Sequence, residues 1–98
     1  MRFRFASRKL EALYTAEKGA RKFPPEIIDA FFEVMAIIDA ASDERDFYAV
    51  KSLHYEKLSG KRAEDHSMRL NDQWRLIVRI EEDDKEKRVL VIALEDYH

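Results

Sequence analysis

Ser67-Met68-Arg69-Leu70-Asn71-Asp72-Gln73-Trp74-Arg75-Leu76-Ile77-Val78-Arg79-Ile80 reads as two β-strands joined by a short polar turn. Met68, Leu70, Trp74, Leu76, Val78 and Ile80 alternate with polar neighbours along one face, while Arg69, Arg75 and Arg79 fall on the other. Period-2 alternation of this kind is the sequence signature of strands with one buried side. The turn length follows from the same pattern. A two-residue loop, Asn71-Asp72, would set Met68 beside Arg75 and mix charge into the apolar face. A three-residue loop, Asn71–Gln73, pairs Leu70 with Trp74 and Met68 with Leu76. Because a one-residue slip turns every side chain to the opposite face, the apolar pattern selects the three-residue loop. That register puts Arg69 directly opposite Arg75. Two like charges facing each other across strands repel, so a neighbouring carboxylate or an anionic ligand has to offset them.

The rest of the chain reads as cover for the apolar face. Arg2–Phe5 alternates base and aromatic, as a short strand does. Ser7 suits a helix N-cap, and Leu10, Leu13, Tyr14 and Glu17 follow at helical spacing, with Gly19 as the stop. Pro24-Pro25 opens a second helix, because proline fits a first helical turn and Glu26 and Asp29 complement its dipole. Ile27, Ile28, Phe31, Phe32, Val34, Met35, Ile37 and Ile38 give it a wide apolar surface running to about Ala41. A short helical turn fits the polar stretch from Ser42 to Asp46. Residues 48–65 show no clean period and read as a long ordered loop, the kind that in a small domain tends to carry function. Glu81–Arg88 reads as a charged, solvated turn. Val89–Leu94 is apolar without interruption, which predicts a central strand covered on both faces.

With 98 residues the chain is one domain, 1–98, too small for a deep interior site. Its net charge of −2 argues against a protein that is basic throughout, but the charge is unevenly spread. Residues 1–22 hold seven bases and two acids, residues 23–50 one base and seven acids, and residues 51–75 six bases and four acids. A local anion site is therefore compatible with the near-neutral total. The lack of cysteine removes disulfides and thiolate metal sites. His54, His66 and His98 have no metal-ligand spacing, so no metal or cofactor is expected. No apolar run reaches membrane-span length and no secretory leader is evident, which predicts a soluble cytoplasmic protein with no membrane partner.

Three stretches together resemble the HigB branch of the RelE/ParE toxin superfamily: Lys22-Phe23-Pro24-Pro25; Leu58-Ser59-Gly60 leading into Arg69-Leu70-Asn71-Asp72-Gln73-Trp74-Arg75; and the closing Asp96-Tyr97-His98. The resemblance covers nearly the whole chain. It implies an α+β fold of the RelE/ParE type, β-α-α-β-β-β, with a small antiparallel-rich sheet covered by two N-terminal helices. It implies a toxin of a type II toxin–antitoxin pair that enters the ribosome and cleaves mRNA without a metal, the RNA 2′-hydroxyl attacking the adjacent phosphate. The implied partners are a helix-turn-helix, HigA-like antitoxin, the ribosome and mRNA. Such chemistry needs proton-transfer groups and positive charge around the phosphorus. The catalytic candidates are Arg69, Arg75, Asp96, Tyr97 and His98. Lys57, Ser59, Lys61, Arg62 and Arg79 are candidates for phosphate or RNA contact. One departure stands out. Nuclease members often carry Leu-His-x-Leu-Lys-Gly before the sheet, and here Glu56 and Ser59 occupy the His and Lys positions. Because superfamily members also include gyrase poisons, a gyrase inhibitor and a degenerate toxin are the alternative expectations.

Overall fold

The computed structural model describes residues 1–97; His98, named above as a catalytic candidate, lies outside the described residues. Eight helices and strands run in the order β1 (Arg2–Phe5), α1 (Arg8–Ala16), α2 (Pro25–Ala40), α3 (Arg45–Ala49), β2 (Glu56–Lys57), β3 (Asp65–Arg69), β4 (Trp74–Asp83) and β5 (Glu86–Asp96). Single 3₁₀ turns at Ala20–Lys22, Lys51–Leu53 and Gly60–Arg62 connect them. The strands form one sheet in the order β1-β5-β4-β3-β2, with β1 parallel to β5 and every other neighbour antiparallel.

The hairpin register is the one the apolar pattern selects. Met68 faces Leu76 and Arg69 faces Arg75. Met68, Leu76 and Val78 are fully buried on the core side together with Val89 and Val91 of β5. Helix α2 lies over them with Ile28, Phe31, Val34, Met35 and Ile38 inward, and α1 adds Leu10 and Leu13. Tyr14 of α1 sits among the rings of Phe3, Phe5, Phe31 and Phe32 at centroid distances of 5.4–6.4 Å, so β1 and both helices share an aromatic cluster. The start of α1 is fixed by Ser7, whose side chain accepts the Leu10 N–H at 3.2 Å. Ser7→Ala is expected to lower stability by about 1 kcal/mol, read from the urea midpoint.

Three expectations need correction. The stretch 48–65 is not one loop. It holds the end of α3, two 3₁₀ turns and the two-residue strand β2, which pairs Glu56 with Ser67 and Lys57 with His66. Leu53 and Tyr55 anchor it in the core. The charged stretch Glu81–Arg88 is not an open turn either. Both strands run through it, and the turn is only Asp84-Lys85, each with positive φ (46° and 73°), as a two-residue primed hairpin turn requires. Finally, β5 is central but only partly covered on its second face, where Leu90 and Ile92 are half-buried. Its register shifts beside Ile77/Val78, so Ala93 pairs with Ile77 while Val91 pairs with Val78. The extra residue is Ile92. This bulge moves the inward positions from Val89 and Val91 to Leu94, which is why the apolar run is unbroken.

The second face is laced with ion pairs. The Glu81 carboxylate accepts two hydrogen bonds from Arg4, both at 2.8 Å, and one from Arg88 at 2.9 Å. Those two guanidinium groups hold its pKa down at about 2, against the usual 4.5. Its folded-state pKa is depressed, so its contribution to stability is complete above about pH 4.5 and disappears as the pH falls towards 2. Glu81→Gln should therefore be less stable than the parent at pH 7. The difference in melting temperature should close between pH 4.5 and 2; an unchanged gap at pH 2 would refute the assignment.

Candidate functional site

The candidate site is built where the β3–β4 turn meets the end of β5. The Asn71 side-chain oxygen accepts the N–H groups of Gln73 and Trp74, both at 2.8 Å, and the Leu70 N–H donates to the Trp74 carbonyl at 3.0 Å. This local bonding is how an asparagine closes a tight turn. The turn in turn holds the chain beyond β5. The Tyr97 N–H donates to the Gln73 carbonyl at 2.7 Å, and the Gln73 amide donates to Asp96 at 3.1 Å. Asp96 is the cross-strand partner of Trp74, on the core side, and Trp74 packs edge-on against Phe23 at 5.6 Å.

Arg75, Glu95 and Tyr97 lie on the opposite side. Arg75 is flanked across the strands by Arg69 in β3 and Glu95 in β5. Its guanidinium donates to the Asn71 and Trp74 carbonyls and rests over the Tyr97 ring, 5.2 Å from the centroid. That separation is within cation–π range. Tyr97 is 46% exposed, and Arg75 beside it is half-buried.

Arg75 stands apart from the other arginines of its face. Arg2 meets Glu86, Arg4 and Arg88 meet Glu81, Arg79 meets Asp65, and Arg69 meets Asp72 in the turn. The carboxylate nearest Arg75 in register is Glu95, yet Glu95 is bound by Arg62 through two hydrogen bonds of 3.0 and 2.7 Å. Among the described residues Arg75 has no carboxylate partner. The repulsion expected between Arg69 and Arg75 is thus relieved at one end only, by Asp72 on Arg69. Arg62, Arg69, Arg75 and Tyr97 come together as a group with one guanidinium unmatched.

The structure does not bring the remaining candidates to this group. Arg79 shares a face with Arg75 but lies four residues along β4, about 13 Å away at strand rise. There it is held by Asp65 at 2.7 Å and Glu64 at 3.7 Å. Lys57 lies in β2 beside His66 and lines a separate groove of about 580 Å³ with Glu44, Glu64 and Arg79. His66 in that groove stacks on Tyr55 at 4.5 Å. Burial pushes its pKa down, and Glu44, 3.8 Å away, only partly opposes the shift. Ser59, just before the Gly60–Arg62 turn, and Lys61 within it are exposed. Asn71, Gln73 and Glu95 were not among the candidates, although each holds part of the group in place. Among the described residues no cluster of three or more His, Asp or Glu side chains could hold a metal, and no helix is long and apolar enough to cross a membrane.

The chain belongs to the HigB-like toxins, RelE-like toxins of the type II toxin–antitoxin system HigB, whose family model matches residues 3–98. Among individual relatives, Toxin HigB-1 of Vibrio cholerae serotype O1 is 35% identical over 77 residues, which cover 79% of this chain and 81% of that toxin. Solved structures share the fold at lower identity. The YoeB/ParE toxin from Agrobacterium tumefaciens superposes with a TM-score of 0.62 at 13% identity, covering 100% of both chains. A chain of the YoeB–YefM complex from Staphylococcus aureus gives 0.56 at 18% identity, covering 100% of this chain and 97% of that one.

Proposed function

We propose that this toxin cleaves mRNA on the ribosome, using the group around Arg75. The observation that carries the reading is the half-buried Arg75 guanidinium, unmatched by a carboxylate, over the Tyr97 ring and flanked by Arg69 and the Arg62-bound Glu95. In the proposed reaction the 2′-oxygen attacks the adjacent phosphorus and the bond to the 5′-oxygen breaks. A 2′,3′-cyclic phosphate forms, and the proton lost from the 2′-hydroxyl is balanced by one given to the leaving 5′-oxygen. Negative charge builds on the non-bridging oxygens at the transition state. A planar, permanently charged guanidinium suits those oxygens because it can donate two parallel hydrogen bonds. Arg75 takes this role, with Arg69 at the edge of the same charge. Tyr97 and His98 are the proposed proton-transfer groups. Asp96, held by Gln73, keeps the chain end in place. Lys61 is the proposed contact to the RNA backbone outside the cut.

The proposed partners are a helix-turn-helix antitoxin of the HigA kind, the ribosome and mRNA, with a cytoplasmic location. No metal or other cofactor enters the proposed steps. The test is to induce the chain in a bacterium without an antitoxin and map new mRNA 5′ ends. In-frame cuts within translated regions are expected, and they should vanish for Arg75→Ala and His98→Ala. If the parent and both variants give the same end map, the nuclease reading fails. Gyrase supercoiling should be unaffected by the purified toxin.

A further inference from the structure

We propose that Arg62 is a positioning residue that keeps Glu95 away from Arg75, leaving Arg75 able to meet a phosphate. The inference rests on the reading that Arg75 is the phosphate-facing group, and it assigns Arg62 a role other than binding RNA itself.

Glu95 and Arg75 are direct cross-strand partners. Side chains so placed have Cβ atoms about 4.5–5.5 Å apart, and opposite charges in that position ordinarily pair. The rest of this face behaves that way: Arg88 pairs with Glu81, and Arg79 with Asp65, each directly across the strands. Arg75 is the exception. Its neighbour Glu95 has both oxygens taken by Arg62, which reaches in from the Gly60–Arg62 turn 33 residues earlier in the chain. A two-pronged guanidinium–carboxylate pair is the strongest arrangement these groups form, and Glu95 is about two-thirds shielded from water while it is made. Arg75 is left with main-chain carbonyls and the Tyr97 ring, contacts that keep its charge uncompensated.

Charge counting makes the same point. Three guanidinium groups gather here, and two of them, Arg62 and Arg69, are matched by Glu95 and Asp72. The third supplies the positive charge offered to an anion. Without Arg62, Glu95 would turn to Arg75, both remaining arginines would be matched, and a phosphate would have to displace a carboxylate to bind.

The prediction is a pattern over three variants of the full chain, made by cell-free synthesis. Cleavage of mRNA in a ribosome-containing reaction is one readout. The other is the NMR shift of the Arg75 side-chain protons, which lie over the Tyr97 ring and carry its ring-current displacement. Arg62→Ala should lower cleavage by about tenfold to a hundredfold, the loss expected when one charge-assisted contact to the transition state is blocked. It should also abolish the ring-current displacement as Arg75 swings to Glu95. Glu95→Gln should cleave within about threefold of the parent, because a neutral amide does not capture Arg75. Arg62→Ala/Glu95→Gln should recover both the cleavage and the shift.

Each contrary result overturns the inference in its own way. A double variant as slow as Arg62→Ala means that Arg62 meets the RNA directly. Glu95→Gln as slow as Arg62→Ala means that the pair only tethers the turn to the sheet. If the parent itself does not cut RNA, the nuclease reading falls and the NMR shift decides alone: an Arg75 signal unmoved in Arg62→Ala refutes the capture by Glu95.

Discussion

Arg75→Ala is expected to lower ribosome-dependent cleavage by about 10²–10³-fold, the range found when one preorganised donor to a developing negative charge is removed. Arg69→Ala should cost less, because the Arg69 guanidinium is already engaged by Asp72 in the turn. Arg75→Lys should not restore the rate. An ammonium is a point charge that cannot donate two parallel hydrogen bonds and stacks less well on a ring. The effect has to be one on chemistry and not on folding. Arg75 is half-buried, and its side chain packs on Tyr97 and on main-chain carbonyls, not into the core. Its loss should therefore move the urea midpoint little. The measurement is single-turnover cleavage of a defined message, with the midpoint recorded on the same preparation. A parent-like rate in Arg75→Ala would remove the group from the mechanism.

The second large effect concerns the fold. Phe31→Ala should destabilise the protein by about 3–5 kcal/mol, the usual cost of emptying a buried phenyl site. Phe31 is fully buried in α2 and makes edge-on contacts with the rings of Tyr14 and Phe32. It therefore ties α1 to α2 inside the core. A domain of this size has a total stability of only about 5–15 kcal/mol, so the loss takes a large share of it. Denaturant unfolding followed by Trp74 fluorescence gives the value. The contrast with Arg75→Ala is itself informative. Both variants should be harmless when induced in cells, but only Phe31→Ala should be lost to proteolysis.

The hairpin was the most legible part of the sequence, for a physical reason. An apolar alternation with one buried face fixes both register and loop length, because the slipped alternative would bury Arg75 beside Met68. The same register, continued four residues, sets Asp65 opposite Arg79, so the pairing that removes Arg79 from the candidate group is also written in the sequence. It escapes notice because β3 begins at Asp65, three residues before the apolar alternation starts at Met68. Helix α2 was equally plain from its period. The segment from Tyr48 to Asp65 was not. Its strand β2 is two residues long and exists only through pairing with β3, and local propensity carries no trace of such a partner. Glu95 was hidden by the bulge at Ile92. Counting by twos along β5 puts the wrong residues inward after that point, so the neighbour of Arg75 could not be found without the fold. His98 had only the resemblance to support it, and it lies outside the described residues.

The pairing of β1 with β5 also bears on when the toxin becomes dangerous. Arg2 lies beside Arg88 and Phe5 beside Val91, so among the described residues the first strand pairs only with β5, some 86 positions further on. Contacts so distant in sequence are closed late and make folding slow. Synthesis proceeds from the N-terminus at about 5–20 residues per second, so β1 and α1 emerge seconds before β5 exists. During that interval the sheet is open and Arg75 has neither Glu95 nor Tyr97 beside it. On the proposed mechanism a growing chain therefore lacks the assembled phosphate site until β5 is made.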